Sequence, residues 1–464
     1  MIELKTSLLP YQRQAVEKLM PIKVGALYME MGTGKTRTAL EMIKRRHDAG
    51  KIDRVLWLCP VSVMVNLYRD LKKHADGFEK IIKIRGIESL SSSIALYAQL
   101  EDYVCAGKTM LVVDESSLIK NPKAIRSRRI MALGKLCLYR IILNGTPVSR
   151  NEADLFAQWY LLDWRILGYQ SYWSFANNHL EFDEKFKHKI RRVLNMDYLT
   201  DKIAPYSFMV KKEDCLPLPM KRARIAYYSM TEEQEAHYDQ QKDKFLAMLL
   251  RIGDDLGESA IYRTFTALQE ISSGRRIITE PEDHIRHEPM FENPEDNPRI
   301  QCLLSQIEGL DGKIIIWIKF THELLDIEQV LESRYGSDAV ALFYGELGRK
   351  KRQMELDKFR DSARFLIANK SCAGYGLNLQ FCNQAIYYNN DWDWATRAQS
   401  EDRMHRMGQE KDVILIDLCS WSSIDGRILD CLSRKENMAD SFRRELKNRN
   451  AAKWLRFGDL EERR

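Results

Sequence analysis

The chain has nine cysteines, and no two of them are spaced as C-x-x-C. That absence removes the usual sign of a structural zinc, and the scatter of the thiols gives no disulfide framework. Most lie in apolar stretches such as Leu56–Cys59 and Leu415–Cys419, where buried thiols are the expectation. Long apolar runs are missing too. The longest strongly apolar stretch, Ile314–Ile318, has the length of a strand, whereas a helix needs roughly 20 such residues to cross a bilayer. Glu3 and Lys5 sit at the start with no long apolar run, so no signal peptide is expected. Charge of one sign is scarce: 72 Lys and Arg against 66 Asp and Glu leave a net +6. A nucleic-acid path would therefore have to be a local concentration of cations. These exclusions leave a soluble intracellular protein, cytoplasmic or nuclear according to its host, with no membrane and no protein partner implied.

What is present is a two- or three-domain chain: 464 residues, 45% apolar, enough for conventional cores. Short apolar runs alternate with segments of helical period. Val24–Met29, Val55–Leu58, Met110–Val113 and Tyr139–Leu143 read as buried parallel strands. Thr36–His47 reads as a helix with Lys44, Arg45 and Arg46 near its C-terminal end, where cations are favoured, and Gly50 closing it. The pattern restarts at Lys313, with candidate strands at Ile314–Ile318, Ala339–Phe343, Phe365–Ala368, Ala385–Tyr388 and Val413–Leu418. Helical segments His322–Arg334 and Arg349–Arg360 fall between them. This is the grammar of α/β doubly wound sheets. The middle, about 151–299, is polar and helix-rich, with Thr231 and Gln234 placed as a capping box. The Pro/Glu/Asp-rich stretch Glu280–Pro298 reads as a loop, and its His284 and His287 as solvated residues lacking the cysteine pair that would complete a metal site. No internal repeat is evident.

The sharpest motif is Glu30-Met31-Gly32-Thr33-Gly34-Lys35-Thr36, between a strand and a helix. A phosphate needs a backbone that turns tightly and aims N–H groups inward, which Gly32 and Gly34 permit. The helix adds its dipole, Lys35 a point charge, and Thr36 a hydroxyl for Mg²⁺. Thr33 completes the ATP-binding turn. Asp114-Glu115 follows the apolar run Met110–Val113, as an ATPase requires: Asp114 to hold Mg²⁺, Glu115 to polarise the attacking water as general base. A P-loop alone would also suit a kinase or a GTPase. The discriminating stretch is Ala373–Gln409, where Arg403 and Arg406 are candidate arginine fingers.

The order of motifs resembles the Swi/Snf-like family of helicase superfamily-two ATPases. Leu9-Pro10-Tyr11-Gln12, the P-loop, Cys59-Pro60-Val61-Ser62, Asp114–Ser117 and Asn144–Pro147 follow that family's first lobe. Gly374–Leu379 looks like its fifth motif and Gln399–Gln409 its sixth. Met29 stands where a strict P-loop has Gly, a departure usual in superfamily two. The resemblance implies two tandem RecA-like parallel-sheet lobes with helical insertions between them: residues 1–215, a helical insertion and linker at 216–300, and a second lobe at 301–464. It implies that Gln12 reads the adenine edge, that Gly376, Gln399, Arg403 and Arg406 complete the ATP site, and that Ser62, Thr146, Gly345 and Asn378 contact DNA. Ser116-Ser117 replaces the family's usual Ala-His, so the acidic motif is expected to be wired differently to its neighbours. Trp392 and Trp394 fall at an aromatic turn, and the cations from Arg443 to Arg456 form a basic tail. The implied function is an ATP-dependent translocase on double-stranded or branched DNA. The alternatives are a strand-separating helicase and a non-catalytic clamp, the last opposed by the intact Lys35, Asp114, Glu115, Arg403 and Arg406.

Overall fold

The computed structural model describes residues 2–145, 153–182, 190–252, 257–279, 285–370, 377–447 and 450–456. The chain divides into two compact units, Met1–Pro217 and Leu218–Arg464.

The first unit is built on six strands: β1 (Val24–Met29), β2 (Arg54–Cys59), β3 (Ile82–Gly86), β4 (Thr109–Val113), β5 (Tyr139–Asn144) and β6 (Ser207–Val210). Their spatial order is β6-β1-β5-β4-β2-β3, parallel throughout. The central strands are mainly apolar because both faces are covered. Tyr28, Leu58, Val113 and Ile142 enter one core, while Leu27, Trp57, Val112 and Leu143 enter the other. Four of the six strands stand where the sequence reading puts them; β3 and β6 were not anticipated.

The second unit repeats the architecture with β7 (Lys221–Tyr228), β8 (Ile314–Ile318), β9 (Val340–Phe343), β10 (Phe365–Asn369), β11 (Gln384–Tyr387) and β12 (Val413–Ser420). The order is β7-β12-β11-β8-β10-β9, again all parallel. The expectation of two tandem parallel-sheet α/β lobes is met. Strand β7 is an addition, because it lies within the stretch read as a helical linker. Its first four residues include three cations, and it lies at the edge of its sheet, where only one neighbour is needed.

Helices Glu232–Ile252 and Glu258–Ser272 fill most of the remaining middle. The capping box is present: Thr231 N donates to Gln234 Oε1 at 3.0 Å and Gln234 N to Thr231 Oγ1 at 3.2 Å. The stretch read as a plain loop contains half of an antiparallel hairpin, Arg275–Thr279 paired with Ile285–Pro289. Strand pairing places His287 opposite Ile277, so it is a strand residue and not a loop residue, exposed, with its ring meeting Glu270 at 2.5 Å. His284 lies outside the described residues. Among the described residues no helix is long and apolar enough to cross a membrane.

Candidate active site

Apart from Gln12, which α1 (Pro10–Leu19) carries, the candidate site residues of both units lie beyond the C-terminal ends of strands, where parallel α/β sheets leave their loops free for ligands. The P-loop runs from β1 into α2 (Lys35–Asp48), just as α1 brings Tyr11 and Gln12 against it. Gly32 and Gly34 both have positive φ, 83° and 84°, a conformation a Cβ would strain. A Cβ on Gly34 would also fall 2.2 Å from Gln12 Nε2. The close approach has a purpose: Gln12 Nε2 and Tyr11 Oη both donate to Thr33 O, at 2.9 and 3.0 Å. Gln12 Oε1 accepts from Leu9 N at 3.0 Å. These two bonds use one amide proton and one lone pair of Gln12. Thr33 Oγ1 donates to Glu30 O at 2.7 Å, and Glu30 Oε2 accepts from Lys212 N at 2.7 Å, so the loop is anchored from both sides.

Lys35 Nζ donates to Met29 O at 2.8 Å, folded over the loop that carries it. Thr36 is half-buried in the first turn of α2. The cations at the other end of α2 do more than answer its dipole. Arg46 is 2% exposed, donates to Ile22 O at 2.8 Å and lies over the Tyr139 ring.

Asp114 stands directly after β4, buried, with Oδ1 accepting from Glu115 N at 3.0 Å. Burial, then the neighbouring Glu115 carboxylate, pushes its carboxyl up to about 7, and the Lys35 ammonium pulls the other way. Lys35 and Asp114 therefore feel each other. Glu115 is held in the left-handed region at φ 48°, which costs a non-glycine residue on the order of 1 kcal/mol or more. Ser116 Oγ donates to Gln158 Oε1 at 2.6 Å in the buried face of α3 (Asp154–Leu167). Asn144 ends β5 with its Oδ1 taken by Gly145 N at 2.9 Å and its buried Nδ2 without a hydrogen-bond partner. Ser62 lies half-buried in the turn after β2. Thr146 lies outside the described residues.

In the second unit the fifth and sixth motifs are zipped together. Leu379 N donates to Arg403 O at 3.0 Å, Gln409 Nε2 donates to Cys382 O at 3.0 Å, and Arg406 Nη1 donates to Asn378 Oδ1 at 2.5 Å. Arg403 is buried and Arg406 half-exposed, while Asn378 is exposed between the buried Leu377 and Leu379. Gln399 is half-buried on α4 (Trp394–Glu401), the helix leading into this segment. Gly345 is exposed beyond β9 and accepts from Arg352 through its carbonyl. Gly376 lies outside the described residues. Trp392 supports the protein interior, with the Lys319 ammonium 3.3 Å from its ring centroid and Tyr262 packed at 5.0 Å. Much of the basic tail is paired: Arg443 with Asp440, Arg444 with Glu436 and Arg456 with Asp239.

Sequence reasoning missed a buried polar network after the strands of this unit. Arg299, Asp425, Asn389, Ser273 and Glu323 bond to one another, all buried. Lys370 donates to Asn389 O, and burial pushes its ammonium down to about 7. Lys319 donates to Gln269 Oε1 at 2.8 Å and is pushed down to about 8 by the same cause. These partners are far apart in sequence, so no local pattern points to them.

Comparison with known proteins bears on the whole chain. Residues 5–90 match the model of the type III restriction enzyme res subunit, 79–281 the SNF2-related domain, and 298–408 the helicase conserved C-terminal domain. An uncharacterised ATP-dependent helicase of Bacillus subtilis, YqhH, is 23% identical over 94% of this chain and 80% of its own length. A putative ATP-dependent helicase/translocase of the same organism, YwqA, is 25% identical over 99% of this chain, which spans only 51% of it. Among solved structures, the Sulfolobus solfataricus SWI2/SNF2 ATPase core in complex with double-stranded DNA is 23% identical, with 99% of this chain and 96% of that one covered, at a TM-score of 0.40. With an SNF2-related domain followed by a helicase C-terminal domain, and ATP-dependent helicases among its relatives, the chain belongs to the Swi/Snf-like family of helicase superfamily-two ATPases.

Proposed function

We propose that this ATPase translocates on double-stranded DNA and uses that motion to remodel branched DNA or to displace bound protein. Lys35 and the P-loop amides hold the ATP phosphates, Gln12 contacts the adenine, and Glu115 accepts the proton of the attacking water. Mg²⁺ fits the same residues: a buried Asp114 carboxyl held near 7 regains its ionised form beside a divalent cation, and Thr36 adds a hydroxyl. Bound there, the ion supplies charge neutralisation at the β- and γ-phosphates. Arg406, seconded by Arg403, answers the charge that develops in the transition state. Ser62, Thr146, Gly345 and Asn378 contact backbone phosphates and read no sequence.

The observation that carries this reading is the Arg406–Asn378 bond. It joins a side chain proposed to sense the nucleotide to one proposed to touch the track. ATPase assays with duplex and with single-stranded DNA, run beside displacement of a triplex-forming third strand, test it. ATP-dependent triplex displacement with stimulation by duplex supports translocation; stimulation by single strands alone would reject it.

One observation favours the strand-separating alternative. Antiparallel hairpins are present in both units, Leu180–Phe182 with Ile190–Val193 and Arg275–Thr279 with Ile285–Pro289. A pin needs such an element. Unwinding of a long blunt duplex is the measurement that would select it.

A further inference from the structure

Helix α4 is short and poorly served by apolar packing. It has eight residues, of which Ser400 alone is fully buried. A helix of that length does not hold itself, yet it leads directly into the segment bearing Arg403 and Arg406. Its hold is polar, and it centres on Arg397. The Arg397 guanidinium makes a two-pronged contact with the Asp417 carboxylate on β12, through Nη1 and through Nη2, the latter at 3.1 Å. Nη1 also donates to Asn390 Oδ1 at 2.7 Å, after β11, and Nε to Glu401 Oε1 at 2.8 Å. The guanidinium lies 3.4 Å from the centroid of the Tyr387 ring on β11. Tyr387 Oη reaches Ser400 Oγ at 2.8 Å, and Asn390 Nδ2 donates to Asp417 Oδ1 at 2.6 Å. On the outer side, Glu401 accepts from Lys221 Nζ of β7 at 3.0 Å. Three strands are thus tied to one turn of helix.

Stability alone does not account for such a device, because well-packed apolar side chains often serve as well as a buried ion pair. A planar guanidinium held by two prongs and stacked on a ring fixes rotation as well as distance. We propose that Arg397 is a positioning residue for ATP hydrolysis: clamped by Asp417 and Tyr387, it sets the orientation of α4 and hence of Arg403 and Arg406. The proposal rests on the reading that Arg406 acts on the nucleotide.

A double-variant cycle of duplex-stimulated ATPase tests it, run where circular dichroism shows each variant folded. Arg397→Lys keeps the charge and loses the two-pronged contact. It should lower kcat by at least about tenfold with KM for ATP within about twofold, because a mis-aimed group fails mainly in the transition state. Combined with Arg406→Ala, it should lower kcat little beyond Arg406→Ala alone, since both changes remove one interaction. Wild-type kcat in folded Arg397→Lys, or losses that multiply in the double variant, would overturn the proposal. Should Arg397→Lys not fold, Glu401→Gln removes the charge that Arg397 Nε and Lys221 share and enters the same cycle with the same criteria. Wild-type kcat in Arg406→Ala is a separate outcome: it defeats the reading of Arg406, and this proposal with it.

Discussion

Arg406 Nη1 donates to Asn378 Oδ1 at 2.5 Å, joining the sixth motif to the exposed end of the fifth. A guanidinium so held has its orientation tied to the amide of Asn378. On the proposed function, a phosphate of the track accepts from the Asn378 Nδ2 amide while Asn378 Oδ1 holds Arg406, so one side chain joins the track to Arg406. Occupancy of the track is then felt at the nucleotide.

Asn378→Asp separates the two roles. The aspartate still accepts from Arg406 but repels a DNA phosphate. ATPase without DNA should stay within about twofold of wild type, while the concentration of duplex needed for half-stimulation should rise by at least about tenfold, a cost near 1.4 kcal/mol. Unchanged stimulation would remove Asn378 from the track.

Lys35→Ala should abolish turnover and leave the fold intact. Among the described residues the side chain's one hydrogen bond is to Met29 O, at the end of β1, and it takes no part in either core of its unit. Steady-state hydrolysis and thermal melting measure the two halves of the claim, and normal hydrolysis in a folded variant contradicts the P-loop assignment.

Glu115→Gln should bind ATP and stall, since an amide cannot accept the proton of the attacking water. A nucleotide-binding titration beside a single-turnover assay separates the two steps. Hydrolysis at the wild-type rate would move the general base elsewhere.

Asp114 gives a pH signature. Its carboxyl is held up to about 7, first by burial and then by Glu115. The unfolded chain releases that proton near 3.9. The stabilisation is therefore complete below about pH 4, is lost as pH rises through about 7, and changes little beyond. Asp114→Asn, which stays neutral, should gain on wild type over that window by on the order of 2–4 kcal/mol. Denaturant midpoints of nucleotide-free wild type and variant at pH 5 and pH 8 measure it. A difference independent of pH contradicts the burial argument.

How much of this was legible in the sequence depended on where the information lies. Strands β1, β2, β4 and β5 are covered on both faces, so each reads as a mainly apolar run. Strand β7 begins Lys-Arg-Ala-Arg and is mostly exposed at a sheet edge, and β6 has only four residues. Neither leaves a periodic signal. The P-loop is local chemistry, and Gly32, Gly34 and Lys35 announce it. The Arg397–Asp417 clamp and the Ser116–Gln158 bond join residues distant in sequence, and each residue alone looks like an ordinary polar position. His287 reads as a loop residue because its Pro/Glu/Asp-rich surroundings outweigh the short strand it belongs to.

The central claim is that ATP hydrolysis drives this chain along duplex DNA. The most direct measurement compares triplex displacement, junction migration and plain strand separation in one preparation, with ATPase followed on duplex and on single strands. The account predicts ATP-dependent displacement and migration. It also predicts stimulation by duplex at least equal to that by single strands, weakening with salt as counterion release requires. Efficient separation of long simple duplexes, with ATPase driven only by single strands, would contradict it.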